Sequence, residues 1–487
     1  MPAGLIMLAA PLAFAQDRPP AAASVQQRIA ALTDAVDRVE TQMQQSEREL
    51  SDLRKQLAEL RASAGETTAP PDQGQAAADL AGAVSGLREN ESMQQTQIAT
   101  LEQTKVETAS KYPVKLSGMI LLTGTVNTQR VDVADTPSIA LGGAGSSAST
   151  VRQTVLGLDA TGPHVLGARS FADVRFDFDG SGTAAGYSGY SVALLRLRTA
   201  HGELDWDHTR AYFALDRSLL NPGYPSSLIA VAEPALSWSG NLWAWNPQVA
   251  LSHDLASAAG GAVRMQAGLI DIEDPPSLFA TQSNGSYTPP SSTELSRWPG
   301  VEARLAYERP DEENGARVGV SGLFARHRTP YYSQRFDTWV VAGDFRFPMS
   351  RHTQVSGSGY TGSALGGLGG GAYKDYAAQL VLGDLYLRPL DDAGGWFQWQ
   401  QKAGERLEFN EAFGVDNVPA HQLRPYAITE PVSYYNLARN RTITGNVIYR
   451  PSASLLFSFE YRRVASSYVT APTQFADIIG LGAGYKF

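Results

Sequence analysis

In Ala172-Asp173-Val174-Arg175-Phe176-Asp177-Phe178 every second residue is apolar and every residue between is charged. A strand so evenly divided has one face for hydrocarbon and one for water, because successive side chains point to opposite sides. A sandwich core buries one face only. A closed wall between lipid and a wet lumen uses both. The same period of two recurs in Val301/Ala303/Leu305/Tyr307, Trp339/Val341/Phe345/Phe347, Ile443/Val447/Tyr449 and Leu455/Phe457/Phe459/Tyr461. It closes the chain in Ile479, Leu481, Ala483, Tyr485 and Phe487. The last strand thus ends on Phe, with an aromatic two residues earlier.

Composition agrees. The chain has 487 residues with 46 Gly and 45 aromatic residues, which suits a large twisted sheet with aromatic belts. Cysteine is absent, so disulfides and thiolate metal sites are excluded. The formal charge of −9 argues against a nucleic-acid partner. Mean hydropathy is −0.21, and no apolar run of about 20 residues exists to form a spanning helix.

Before residue 112 the sequence reads differently. Leu5 to Phe14 is apolar and Ala13-Phe14-Ala15 is a small-x-small cleavage pattern, so 1–15 is expected to be a signal peptide. Its basic n-region is missing, which a start codon assigned too far downstream would explain. Val25, Ile29, Leu32, Val36, Val39, Met43, Leu50, Leu53, Leu57 and Leu60 then follow a 3.5-residue seam broken only at Ser46. This predicts a coiled coil over 16–61, and Val and Ile on both seam rows lean towards three chains. Gly65, Pro70, Pro71 and Gly74 make 62–78 a flexible linker. A weaker seam through Leu80, Val84, Leu87, Ile98 and Leu101 predicts a second coiled-coil segment over 79–111. The barrel domain is placed at 112–487.

Seventeen strand candidates emerge after residue 112. The closing strand, with Tyr485 and the final Phe487, resembles the terminal signature of bacterial outer-membrane barrels. Both ends of such a barrel lie on the periplasmic side, so the count must be even. Short connections at Phe347-Pro348-Met349-Ser350, Lys402-Ala403-Gly404-Glu405 and Arg450-Pro451-Ser452 all fall on one side only if 376–388 belongs to an external excursion. The fold class predicted is therefore all-β, a sixteen-stranded transmembrane antiparallel barrel preceded by an α-helical coiled coil.

With apolar faces outward, the opposite faces put Asp173, Arg175, Asp177, Arg196, Arg198, Arg210, Arg264 and Arg304 on the lumen wall as pore-lining candidates. His208, Tyr212, Glu302, Glu460 and Arg462 join them, as do Gly480, Gly482 and Gly484. Arg175, Arg196, Arg198 and Arg210 sit on consecutive strands and could form a ladder that orients anions. Each Arg could equally be paired with a carboxylate such as Asp173 or Asp177 and merely brace the wall. The segment from Asp216 to Asn246, stiff with Pro and rich in Trp, is a candidate constriction loop carrying Asp216, Arg217, Tyr224 and Glu233.

No catalytic signature competes. His164, His201, His208, His253, His327, His352 and His421 are scattered outside any nucleophile motif, no spacing suggests zinc, and no Gly-rich loop suggests a phosphate cofactor. A structural role, with the coiled coil reaching peptidoglycan and the barrel as anchor, is the alternative to a channel.

The order signal, coiled coil, linker and sixteen-stranded barrel resembles the DcaP-like trimeric porins. Tyr112-Pro113-Val114-Lys115-Leu116-Ser117-Gly118 resembles their barrel opening. Leu195-Arg196-Leu197-Arg198-Thr199-Ala200-His201-Gly202-Glu203-Leu204 resembles their Arg-rich strand and Gly turn, and Trp245-Asn246-Pro247-Gln248-Val249 the return into the next strand. The stretch from Ser363 to Gly394 has no counterpart. The resemblance implies a homotrimer in outer-membrane lipid and lipopolysaccharide, taking up small anions, dicarboxylates among them.

Overall fold

The computed structural model describes residues 105–106, 113–180, 194–258, 260–275, 290–309, 315–329 and 333–487. The signal peptide, both expected coiled-coil segments and the linker lie outside these residues, apart from Lys105 and Val106. Those two pair with Lys115 and Val114 as a short strand, not as a helix.

The barrel opens with β1 (Val114–Val131) and β2, a single stave in two pieces (Ala140–Thr150 and Val155–Val165). The upper piece pairs with the outer half of β1 and the lower piece with its inner half. The wall continues through β3 (Ala168–Gly180), β4 (Leu194–Asp205), β5 (Thr209–Arg217), β6 (Trp245–Ala258), β7 (Gly261–Ile270) and β8 (Gly300–Glu308). Next come β9 (Arg317–Arg328), β10 (Arg335–Pro348), β11 (Thr353–Ser363) and β12 (Asp391–Ala403). It ends with β13 (Leu407–Asn417), β14 (Leu437–Tyr449), β15 (Leu455–Tyr468) and β16 (Gln474–Lys486). Each stave pairs antiparallel with the next, and β16 pairs with both β15 and β1, so the sheet closes with sixteen staves. Closure satisfies every ladder without an edge, which is what allows strands to cross hydrocarbon. Tyr376–Val381 and Asp384–Pro389 form a separate hairpin, so the excursion expected from parity is real.

The alternation is realised as an inside-out protein. Val320, Phe459 and Leu481 are 62 %, 51 % and 60 % exposed on the outer wall, whereas Glu302, Asn410, Thr444 and Glu460 are buried inside. Short turns at 166–167, 206–208, 349–352 and 404–406 share one end with Pro113 and Phe487. Gly118 and Phe487 exchange backbone hydrogen bonds of 3.0 Å each. A Cβ at Gly118 would lie 2.9 Å from the Phe487 ring, so glycine there leaves room for the terminal aromatic.

Two details differ from the sequence reading. The turn between β4 and β5 is Trp206-Asp207-His208, not His201-Gly202, so His208 sits in a turn and not on the lumen wall. Gly202 continues the strand because the Phe213 ring lies over it, where a side chain would otherwise stand. Arg198 also departs from simple alternation. The β3–β4 register slips where Arg175 opposes Thr199 and Phe176 opposes Leu197, leaving Arg198 as the extra residue of a bulge.

Candidate functional site: a loop across the lumen

The segment between β5 and β6 runs from Ser218 to Ala244 and folds into the barrel. Asp216 and Arg217, expected in this loop, instead end β5. Hydrogen bonds to the far wall hold it all along its length. The Leu219 amide donates to Glu302 Oε2 at 2.9 Å and the Ser226 amide to Gln398 Oε1 at 2.8 Å. Ser227 Oγ donates to Glu460 Oε2 at 2.5 Å, and Ser239 Oγ shares a proton with Thr442 Oγ1 at 2.8 Å. A loop so deep must satisfy its backbone from side chains, which accounts for the Gln, Asn, Ser and Thr on the inner faces of β12 to β15.

The loop tip is seated by the break in β2. Gln153, fully buried within that break, turns into the lumen. Its Oε1 accepts from the Val231 and Ala232 amides at 2.8 and 3.1 Å, while its Nε2 donates to the Ile229 carbonyl at 2.9 Å. Thr154 Oγ1 accepts from the Leu121 amide at 3.1 Å, repairing the ladder that the break interrupts. Opposite, Ile229 lies against Gly480 and Gly482, where an added Cβ would sit 3.0 and 3.2 Å from its side chain. The bare inward face of β16 is the socket for this isoleucine.

The candidate arginines are mostly paired. Arg175 reaches Asp159 at 2.5 Å and Asp173 at 3.5 Å, and Arg196 reaches Asp177 at 2.7 Å. Arg210 lies 3.5 Å from Glu203, and Arg264 bridges Asp254 and Glu308 at 2.8 Å each. Arg304 is buried against Asp344, which also receives Arg317. Five charged residues expected to line the pore are therefore enclosed among their own partners: Asp177 is 0 % and Arg304 3 % exposed, and Glu302, Glu460 and Arg462 are buried as well. For these cations the bracing alternative describes the contacts better than a free ladder.

Arg198 and Arg217 are different. Among the described residues neither has a carboxylate partner. The Arg198 guanidinium stands 5.0 Å from the Trp245 ring centre, with Arg196 5.3 Å from the same ring. Arg217, opposite Trp245 in register, stands 4.6 Å from the Tyr224 ring, and Tyr224 is 54 % exposed. A guanidinium on an aromatic face keeps its N–H edge directed elsewhere. Sequence spacing gave the cations but not this choice between them, which depends on the bulge at Arg198 and on the loop bringing Tyr224 back.

A second segment also folds inward. Ala364 to Asp375, before the external hairpin, buries Leu365 and Leu368 against the loop and the walls of β7 and β9 to β11, and Ala372 among Leu437, Ala438 and Tyr468 of β14 and β15. Nothing in its Gly-rich sequence distinguished it from a surface loop.

Glu233, a candidate for the constriction, lies in the packing between the loop and the 132–139 turn, which Asn440 and Arg462 hold on the inner wall. Ser138 Oγ donates to it at 3.4 Å. Burial pushes its carboxyl up to about 7, and Asp132 and Asp179 push the same way against Arg196. Burial also raises Asp132 to about 6, against the amides of Ser138 and Ile139 that donate to it. A group raised in the docked state stabilises docking fully below its free value and loses that contribution as pH rises through the docked value. Loop docking should thus weaken as pH rises from about 4.5 to about 7, by on the order of 3 kcal/mol in all for Glu233. Open-channel current noise should rise over that range in the wild type and much less in Glu233→Gln.

No protein-family model matches the chain, and no curated protein matches it in sequence. Among solved structures, the outer-membrane channel DcaP of Acinetobacter baumannii superposes with a TM-score of 0.59 at 15 % identity, covering 79 % of this chain and all of that one. An anion-selective porin from Comamonas acidovorans aligns over 77 % of this chain and all of its own at 10 % identity and a TM-score of 0.44. OmpF of Salmonella typhi in complex with daunomycin aligns over 77 % of this chain and 98 % of its own, at 12 % identity and 0.45. All of DcaP superposes on this chain, so this chain has the fold of the DcaP outer-membrane channel.

Proposed function

We propose that the protein is a Gram-negative outer-membrane porin, passing small anionic solutes such as dicarboxylates by passive diffusion. The observation that carries the anionic part is the pair Arg198 and Arg217, left without carboxylates beside Trp245 and Tyr224. Guanidinium matches carboxylate bidentately, and a cation whose charge no carboxylate neutralises attracts passing anions, although Arg217 also donates to the Gly223 carbonyl at 3.1 Å. The apolar outer wall supports outer-membrane lipid and lipopolysaccharide as surroundings. The seam in 16–61 supports a homotrimer with its coiled coil in the periplasm, within reach of peptidoglycan. In this reading the protein has no catalytic role and takes no cofactor.

Purified protein in a planar bilayer under a salt gradient should give a reversal potential of anion preference. Changing both Arg198→Glu and Arg217→Glu should lower the anion-to-cation permeability ratio by about tenfold or more, since each unit charge contributes about 1 kcal/mol at 4 Å even in water. Cation preference in the intact protein overturns the anionic reading.

The depth of packing of 218–244 and 364–375 favours one rival, a structural anchor with little transport. Absence of single-channel conductance would decide for it.

A further inference from the structure

The inward segment Ala364–Asp375 grips the outer edge of the crossing loop. The Ala244 amide donates to the Leu368 carbonyl at 3.3 Å, and Asn246 Nδ2 donates to the Gly367 carbonyl at 3.2 Å. Gly369 abuts Trp243 so closely that a Cβ there would lie 2.8 Å from the ring. From this grip a row of rings leads to the selectivity arginines. Tyr373 stacks on Trp238 with centroids 3.5 Å apart and planes at 15°. Trp238 meets Trp243 edge-on at 5.5 Å, and Trp243 meets Trp245 edge-on at 5.4 Å. Trp245 is the ring that Arg196 and Arg198 share.

The row begins on a strained backbone. Ala372, Tyr373 and Trp238 have φ of 45°, 74° and 58°, in the left-handed region that non-glycine residues occupy at a cost. Something must hold them there, and the contacts identify it. Lys374 is buried, and its Nζ donates to the carbonyls of Ala372, Tyr434 and Leu437 at 2.6, 2.8 and 2.9 Å. Asp416 Oδ1 accepts from the Ala372 amide and Asp392 Oδ2 from the Gly371 amide, each at 2.8 Å. Tyr360 donates to the other oxygen of Asp416 at 2.7 Å. Three carbonyls converge on one ammonium, so apolar replacement leaves all three without a donor.

We propose that Lys374 is a positioning residue for ion selection: by fixing Tyr373 it sets, through the row of rings, where Trp245 holds Arg198. The proposal rests on the channel reading above. Lys374 touches neither lumen arginine, and its action is transmitted entirely by packed aromatic faces, which prefer particular mutual orientations and leave few voids to absorb a shift.

The test measures reversal potential and single-channel conductance for the wild type, Lys374→Met, Tyr373→Ala and the double variant, with folding checked by heat-modifiable migration. Each single variant should lower the wild-type preference between anions and cations by about fivefold. The double variant should go no further, because both changes cut the same row. Unchanged reversal potentials, or shifts that add in the double variant, overturn the proposal. Should Lys374→Met not fold, Tyr373→Ala and Trp238→Phe decide by the same criterion. A wild type that conducts without ion preference overturns this proposal and the anionic reading but leaves the porin standing. A wild type without conductance removes all three.

Discussion

Asp344→Asn should destabilise the barrel by about 3–5 kcal/mol, because one buried carboxylate serves two arginines. Asp344 Oδ1 lies 3.0 Å from Arg304 Nη2 and 2.9 Å from Arg317 Nε. The Arg304 and Asp344 side chains are each 2 % exposed, so water cannot replace the lost charge. Gly319 belongs to the same arrangement: a Cβ there would lie 2.6 Å from Arg304 Nη2 and 2.8 Å from Asp344 Oδ2. Urea titration in detergent, followed by gel migration, should show the midpoint of Asp344→Asn well below wild type. Removing Arg304 together with Asp344 should recover part of the loss, since the uncompensated charge goes with it. A midpoint within error of wild type for Asp344→Asn would mean that the remaining contacts of Arg304, to Glu308 and Gln266 at 3.1 Å each, suffice.

The second large effect belongs to the seat of the loop. Gly480→Leu fills the socket of Ile229 and should cost the docked tip about 1–3 kcal/mol through overpacking. The wall itself should tolerate the change, because Leu suits a strand and the lumen beyond the tip is open to rearrangement. The expected outcome is a folded barrel with larger, noisier unit conductance. Gln153→Ala should act in the same direction by a different cause. It strips partners from the Ile229 carbonyl and from the Val231 and Ala232 amides, at about 1–3 kcal/mol for a buried group left unsatisfied. Wild-type conductance in both variants would show that the tip does not limit flow.

Most of the wall was legible because alternation is a local property. Val174 and Phe176 face out and Asp173 and Arg175 face in whatever the rest of the barrel does. Parity then removed 376–388, and the hairpin stands outside the wall as a result. The strand limits were less legible where a lumen residue is neither charged nor apolar. The upper half of β2, Ala140–Thr150, consists of Ala, Leu, Gly, Ser and Thr, and shows no alternation to read. Gly202 read as a turn because its covering ring, Phe213, comes from the next strand.

The site was legible as a composition but not as an arrangement. Arg175, Arg196, Arg198 and Arg210 were placed on neighbouring staves by spacing alone. Which of them keeps a carboxylate depends on register across strands, as in Arg175 with Asp159, and on a bulge at Arg198 that the sequence does not announce. The partners of the loop are more distant still. Ser227 and Glu460 are 233 positions apart, and no local pattern connects them. Lys374 is legible only as a lone cation in a glycine-rich stretch until the carbonyls around it are seen.

The socket on β16 also has a consequence for the order in which the protein assembles. The crossing loop follows the fifth stave, but its tip rests on the sixteenth and its neighbour Ser227 on the fifteenth. The same tip is held by Gln153 on the second stave, so its seat exists only where the first and last staves have been brought together. The inner lining can therefore be completed only after the outer cylinder has shut. Refolding into detergent should show two events, with cylinder closure followed by burial of Trp238, Trp243 and Trp245 as a separate, slower change in tryptophan emission. Until that second event the newly inserted protein is a wider hole than the finished one.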